Sequence, residues 1–155
     1  VVEAYASPVG VESTIIACLG SEPQLLRHGG VTLEEIFAKT GLRIAQQGHG
    51  KVIAPGMLDS HYAPQARVRL NALEAQPDEA LLLFGAFEPQ GLAEAGPRLN
   101  LSPRGDLTEA AANLYGYLRR LDRQATKAIA IAPIPESGLG AAINDRLLRA
   151  AAPRP

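Results

Sequence analysis

Three side chains near the start of the chain have the chemistry to hold an anionic ligand. They are Ser13 and Thr14 in "VESTII" and Arg27 in "LLRHGG". A hydroxyl at the start of a strand donates to a carboxylate, and an arginine fork suits phosphate or carboxylate. Such charge-assisted bonds contribute roughly 1.5–3 kcal/mol each when shielded from water. On spacing alone a plainer reading stands beside this one, with Ser13 and Thr14 as turn or strand residues and Arg27 as a surface charge. A second cluster sits in "APGMLDSHYAP", residues 54–64, which puts His61 and Tyr62 on a segment without helical or strand period. These two rings either contact a ligand or bury a linker against a domain surface.

Other chemistries find less support. His28, His49 and His61 lack the tight spacing of a metal site and have no cysteine partners. "QQGHGK" lacks the spacing of a phosphate loop and the hydroxyl residue after its lysine. "ESGLGAAINDRL" places Gly138 and Gly140 between strand and helix, where free N–H groups suit an anion. Ile143 occupies the place of the third glycine in a dinucleotide fingerprint, so a glycine turn entering a helix is the simpler reading. Asn144 and Asp145 near that strand end are candidates for an interdomain contact.

The elements that must position these groups follow from hydrophobic pattern. "ESTIIACL", residues 12–19, reads as a buried strand, and "QLLRHGG" as its neighbour across a tight turn. Helix "VTLEEIFAKTG" carries Thr32 as N-cap with Glu35 three residues on, and Gly41 as its left-handed stop. From Gln46 to Ala66 glycine and proline break the pattern, leaving a connector of a length that is usually functional. Beyond it "RVRLNAL", "EALLLFGAF", "PRLNLS" and "KAIAIAPIP" read as strands. Two amphipathic helices, one before and one after "KAIAIAPIP", carry Leu107, Ala111, Leu114, Leu118 and Leu121 on one face of the first and Ile143 and Leu147 on the second. Apolar strands alternating with helices call for parallel pairing and right-handed crossovers.

The totals agree with a packed α/β protein: 155 residues, 46% hydrophobic and 20% charged. A net charge of −1, evenly mixed, offers no electrostatic footprint for nonspecific nucleic-acid or membrane binding. Cys18, alone and in an apolar run, is expected to be a buried small hydrophobe. No apolar stretch reaches membrane-span length and no signal-peptide pattern opens the chain, which makes a cytoplasmic protein the expectation. The chain starts at Val1 and enters a strand almost at once, so an upstream part is expected to exist.

Taken in order, "SPVGVESTII", "LLRHGGVTLEEI", "APGMLDSHYAP", "LNLSPRGDLTEAAANLYGYLRRLD" and "IAIAPIPESGLGAAINDRLLRAA" resemble the threonylcarbamoyl-AMP synthase family in its long two-domain form. The resemblance spans essentially the whole chain. It implies an α/β fold: residues 1–45 as the C-terminal portion of a YrdC-like α/β domain, 46–66 as a linker or lid, and 67–155 as a small Rossmann-like α/β domain with a mainly parallel sheet. It further implies a nucleotidyltransferase that joins L-threonine, bicarbonate and ATP into threonylcarbamoyl-adenylate, with Mg2+ accompanying the ATP. The product feeds tRNA threonylcarbamoyladenosine modification, so downstream tRNA-modification proteins are implied partners. On this resemblance Ser13, with Thr14 beside it, matches the threonine-binding position, Arg27 the arginine that contacts ATP, and Tyr62 the linker tyrosine that reaches the nucleotide. His61 is a further lid contact. His28 departs from the pattern, standing where members commonly carry proline. The family's lysine- and arginine-rich nucleotide pocket lies upstream of Val1, so these residues alone are expected to be inactive. The alternative is a non-catalytic regulatory module that docks a protein or tRNA.

Overall fold

The computed structural model describes residues 9–46, 64–93, 95–124 and 127–152. Two sheets organise them. The first is small and mixed. Strand β1 (Ile15–Ala17) pairs antiparallel with β2 (Gln24–Arg27), Ile16 opposite Leu25, as the two apolar runs across a turn required. Helix α1 (Leu33–Thr40) then leads to β3 (Ala45–Gln46), which lies parallel to β2 on its other edge. That short third strand was invisible in the sequence because two residues carry no period.

Helix α1 forms as its ends dictate. The Thr32 hydroxyl accepts from the Glu35 backbone N–H at 3.2 Å, and the Glu35 carboxylate accepts from the Thr32 backbone N–H at 2.8 Å. Gly41, at φ 69°, closes the helix by donating its N–H to the Phe37 carbonyl. No residue of α1 is buried.

The expectation for Cys18 is corrected: the thiol is exposed. β1 ends at Ala17, short of the eight-residue run expected, so Cys18 and the 92% exposed Leu19 fall in the turn beyond it. Apolar composition placed them in a core; strand length left them outside it.

The second sheet is wholly parallel, in the order β4 (Arg67–Arg69), β7 (Ala128–Ile131), β5 (Glu79–Leu83), β6 (Arg98–Asn100). Its register sets Val68 beside Ile129, Ala130 beside Leu81 and Leu82 beside Leu99. Because side chains alternate between faces, Ala80, Leu82, Ile129 and Ile131 meet one layer and Leu81, Leu83, Ala130 and Ala132 the other. Helices α2 (Leu107–Asp122) and α3 (Leu139–Ala151) cover the first face with Leu114, Leu118, Leu121, Ile143 and Leu147. Ala72, Ala75, Leu92 and Ala95 cover the second from loops. Both faces of β5 are therefore buried, as its unbroken apolar run required.

Local chemistry fixes the helix starts. Asp106 caps α2, accepting from the N–H groups of Thr108 and Glu109 at 2.7 and 3.2 Å. Gly140 enters α3 so close to the Pro135 carbonyl that a Cβ there would overlap it. Asn144 then ties α3 to the strand end by donating to the carbonyls of Ile134 and Pro135 at 3.1 and 3.3 Å. The glycine pair between β7 and α3 thus serves a tight helix entry.

Candidate functional site

The site is built where the end of β2 folds against the approach to β1. Arg27 is the last residue of β2 and is only 7% exposed, which excludes the surface-charge reading. Its Nε donates to the Ser13 carbonyl at 3.1 Å, and its Nη2 donates to the Ser13 hydroxyl at 3.0 Å. Its Nη1 lies 3.3 Å from the Glu12 carboxylate. Ser13 itself is exposed. Ser13 and Arg27, fourteen positions apart, are therefore one unit: a surface hydroxyl backed by a buried guanidinium.

Thr14 is bonded to the loop that follows β2. Its hydroxyl donates to the Val31 carbonyl at 2.5 Å and accepts from the Val31 N–H at 3.2 Å. Gly30 donates to the Glu12 carbonyl at 2.8 Å. The loop 29–31 is stitched to residues 12–14, and Gly29 lies so close that a Cβ would overlap the backbone of Ser13 and Thr14. Here glycine is required by close approach of two backbones. His61 and Tyr62 fall outside the described residues.

Sequence reasoning missed two residues of this assembly. Glu12 carries a carboxylate oxygen shared between Arg27 and Arg146 Nη2, the latter at 3.0 Å. Arg146 also donates to the His28 carbonyl at 3.1 Å. The available signal was a charged residue on the apolar stripe of α3, beside Ile143 and Leu147. Asp145, expected to join an interdomain contact, pairs with Arg146 and holds Arg149 through bonds of 3.1 and 2.9 Å. His28 is half-buried, and burial pushes its imidazole below its ordinary value, Arg146 adding to the effect while Asp145 and Glu34 oppose it.

A cleft of about 610 Å³ lies elsewhere, at the start of β4, β5 and β7, lined by Arg67, Arg69, Glu79 and Lys127 among others. Arg69 there makes two bonds to Glu79, at 3.0 and 2.6 Å, which hold that buried carboxyl below its usual range. Lys127 pairs with Asp78 at 3.1 Å. Within this cleft Arg69 and Glu79 neutralise each other.

An α/β chain with a mainly parallel four-stranded sheet, carrying a small mixed sheet with a Ser–Arg pair, is the class defined so far. The sequence model of the family described as threonylcarbamoyl-AMP synthase, C-terminal domain, matches residues 31–152, and the chain belongs to that family. Threonylcarbamoyl-AMP synthase of Bacillus subtilis is 32% identical over 171 residues, covering 99% of this chain and 49% of its own length. The enzyme of the same name from Pyrococcus abyssi is 34% identical, covering 97% of this chain and 48% of itself. This chain thus spans about half the length of the curated relatives it matches.

A crystal structure of P. abyssi Sua5 complexed with L-threonine superposes with a TM-score of 0.73 at 29% identity, covering 94% of this chain and 47% of that one. A variant of the same archaeal protein, with alanine in place of an adjacent histidine and tyrosine, matches with a TM-score of 0.72 at 27% identity, over 93% of this chain and 46% of that one. Among the described residues, no helix is long and apolar enough to cross a membrane.

Proposed function

We propose that this chain is the C-terminal part of a nucleotidyltransferase that makes threonylcarbamoyl-AMP from L-threonine, bicarbonate and ATP, for tRNA threonylcarbamoyladenosine modification in the cytoplasm. Residues 1–45 complete the synthase domain, 46–66 form a lid, and 67–155 form the Rossmann-like domain. The observation that carries the reading is the Ser13–Arg27 bond at 3.0 Å. Because the Ser13 oxygen accepts from Arg27, its own O–H is left to donate outward, the polarity needed for the carboxylate of threonine. Arg27 sets that polarity and places positive charge behind the site, where an anionic nucleotide gains from it. The P. abyssi relative complexed with L-threonine supports the amino acid as ligand.

Tyr62, with His61 beside it, is the lid residue that reaches the nucleotide. This sequence contains one His–Tyr pair, the same dipeptide replaced in the archaeal variant. A closed lid excludes water from a carbamate and a mixed anhydride, both readily lost to solvent. The chemistry is adenylation: a carbamate oxygen formed on threonine attacks the α-phosphate of ATP and pyrophosphate leaves, with positioning and charge neutralisation supplying most of the acceleration. Mg2+ would accompany the phosphates of ATP.

Calorimetry on the full-length protein tests the reading. Ser13→Ala should weaken L-threonine binding roughly tenfold or more, the worth of one shielded charge-assisted bond. Arg27→Ala and Tyr62→Ala should weaken ATP binding. Threonine affinity unchanged in Ser13→Ala refutes the threonine site; ATP affinity unchanged in both other variants refutes the nucleotide assignment.

A further inference from the structure

The substrate contacts proposed above do not use Arg146, the most heavily buried charge among the described residues. Arg146 lies on the inward stripe of α3 and is 4% exposed. A cation so placed is costly unless its bonds are specific. Those it makes all lead toward the candidate site or toward the brace behind it. Nη2 donates to the Glu12 carboxylate at 3.0 Å and to the His28 carbonyl at 3.1 Å, while Nη1 pairs with Asp145. Arg149 fixes Asp145 from the next turn, at 2.9 Å. Nε is buried with no hydrogen-bond partner, so the geometry leaves the arginine itself incompletely satisfied while both contacts across the sheets are kept.

The receiving end is equally specific. The Glu12 oxygen that accepts from Arg146 also faces Arg27 Nη1 at 3.3 Å, and Arg27 holds the Ser13 hydroxyl. A continuous polar chain therefore runs from α3 through Arg146, Glu12 and Arg27 to Ser13. Two further contacts seat the same segment. Gly10 presses on the backbone of Ala111 and Ala112 in α2, and the Gly138 N–H at the entry to α3 faces the Glu34 carboxylate at 3.4 Å.

We propose that Arg146 is a positioning residue for the synthase reaction: through Glu12 it sets the placement of Arg27 and Ser13, so that the parallel-sheet domain tunes substrate affinity without touching substrate. The proposal rests on the substrate reading above. It gives the C-terminal domain a role in the reaction that is distinct from docking a partner.

The test is a double-substitution cycle in the full-length protein, read by L-threonine calorimetry. Arg146→Met and Glu12→Gln should each raise the threonine dissociation constant about tenfold, the scale of coupling through packed polar networks. The double variant should be no worse than the poorer single one, since both remove the same link. Arg146→Lys retains a charge within reach of Glu12 and should recover part of the loss. Leu114→Ala, a core truncation, should lower the melting temperature and leave threonine affinity as in the parent, which separates positioning from destabilisation. Should Arg146→Met not fold, Glu12→Gln and Arg146→Lys carry the test. Parent-like affinity in the folded Arg146 and Glu12 variants, or strict additivity in the cycle, overturns the proposal. If Ser13→Ala binds threonine normally, the substrate assignment fails and the positioning role falls with it. If Ser13→Ala is weakened while the Arg146 series is not, the positioning role alone is lost.

Discussion

Gly29→Ala is a sharp test of the site because it removes no polar group. A Cβ on Gly29 would overlap the Glu12 carbonyl, the Ser13 carbonyl carbon and the Thr14 nitrogen, all of them backbone atoms. Restoring ordinary contact requires the two segments to part by about 1 Å. The Arg27–Ser13 bonds of 3.1 and 3.0 Å would then stretch to about 4 Å, beyond hydrogen-bonding range. Overpacking together with the lost bonds costs about 2–4 kcal/mol. For a domain of this size that lowers the melting temperature by about 5–10 °C. A displacement of this scale at a binding site also reduces kcat/KM by about 100-fold. Thermal unfolding and threonine-dependent ATP–pyrophosphate exchange, run on the full-length protein, measure both. Gly20→Ala is the matched control, because a Cβ there meets nothing within 4 Å. If Gly29→Ala matches Gly20→Ala in melting temperature and exchange rate, the close-approach argument is wrong.

Three further outcomes follow from the same structure. Leu114 is fully buried between α2 and the parallel sheet, so Leu114→Ala should cost about 2–5 kcal/mol in denaturant unfolding. Thr32→Ala removes the cap of a helix that buries nothing, and should cost about 1 kcal/mol and speed amide exchange across residues 33–40. His28 binds its proton less readily when folded than at its ordinary value of 6.5, so its contribution to stability is complete above that pH and is lost as pH falls toward the depressed value. Melting temperature followed from about pH 8 to pH 5 should decline, and His28→Gln, lacking that titration, should decline less; equal slopes would reject the role of His28.

The local parts of this protein were legible in its residues. Thr32, Glu35 and Gly41 delimit α1 because capping depends on neighbours three or four positions away. The apolar runs in β5 and β7 announced strands buried on both faces, and the leucine spacing of α2 announced its inward stripe. The signatures carrying Ser13 and Arg27 pointed to a family that the match over residues 31–152 established.

Tertiary structure alone decided the strand order β4-β7-β5-β6, the pairing of β3 and the exposure of Cys18. It also decided that Arg27 is buried against Ser13, and that Arg146 reaches a carbonyl 118 positions away. Helix caps and side-chain periodicity are set by atoms within one turn of the chain, so they survive in the order of residues. The partner of a buried charge is set by which distant segments pack together, and that becomes definite only when the whole chain has folded.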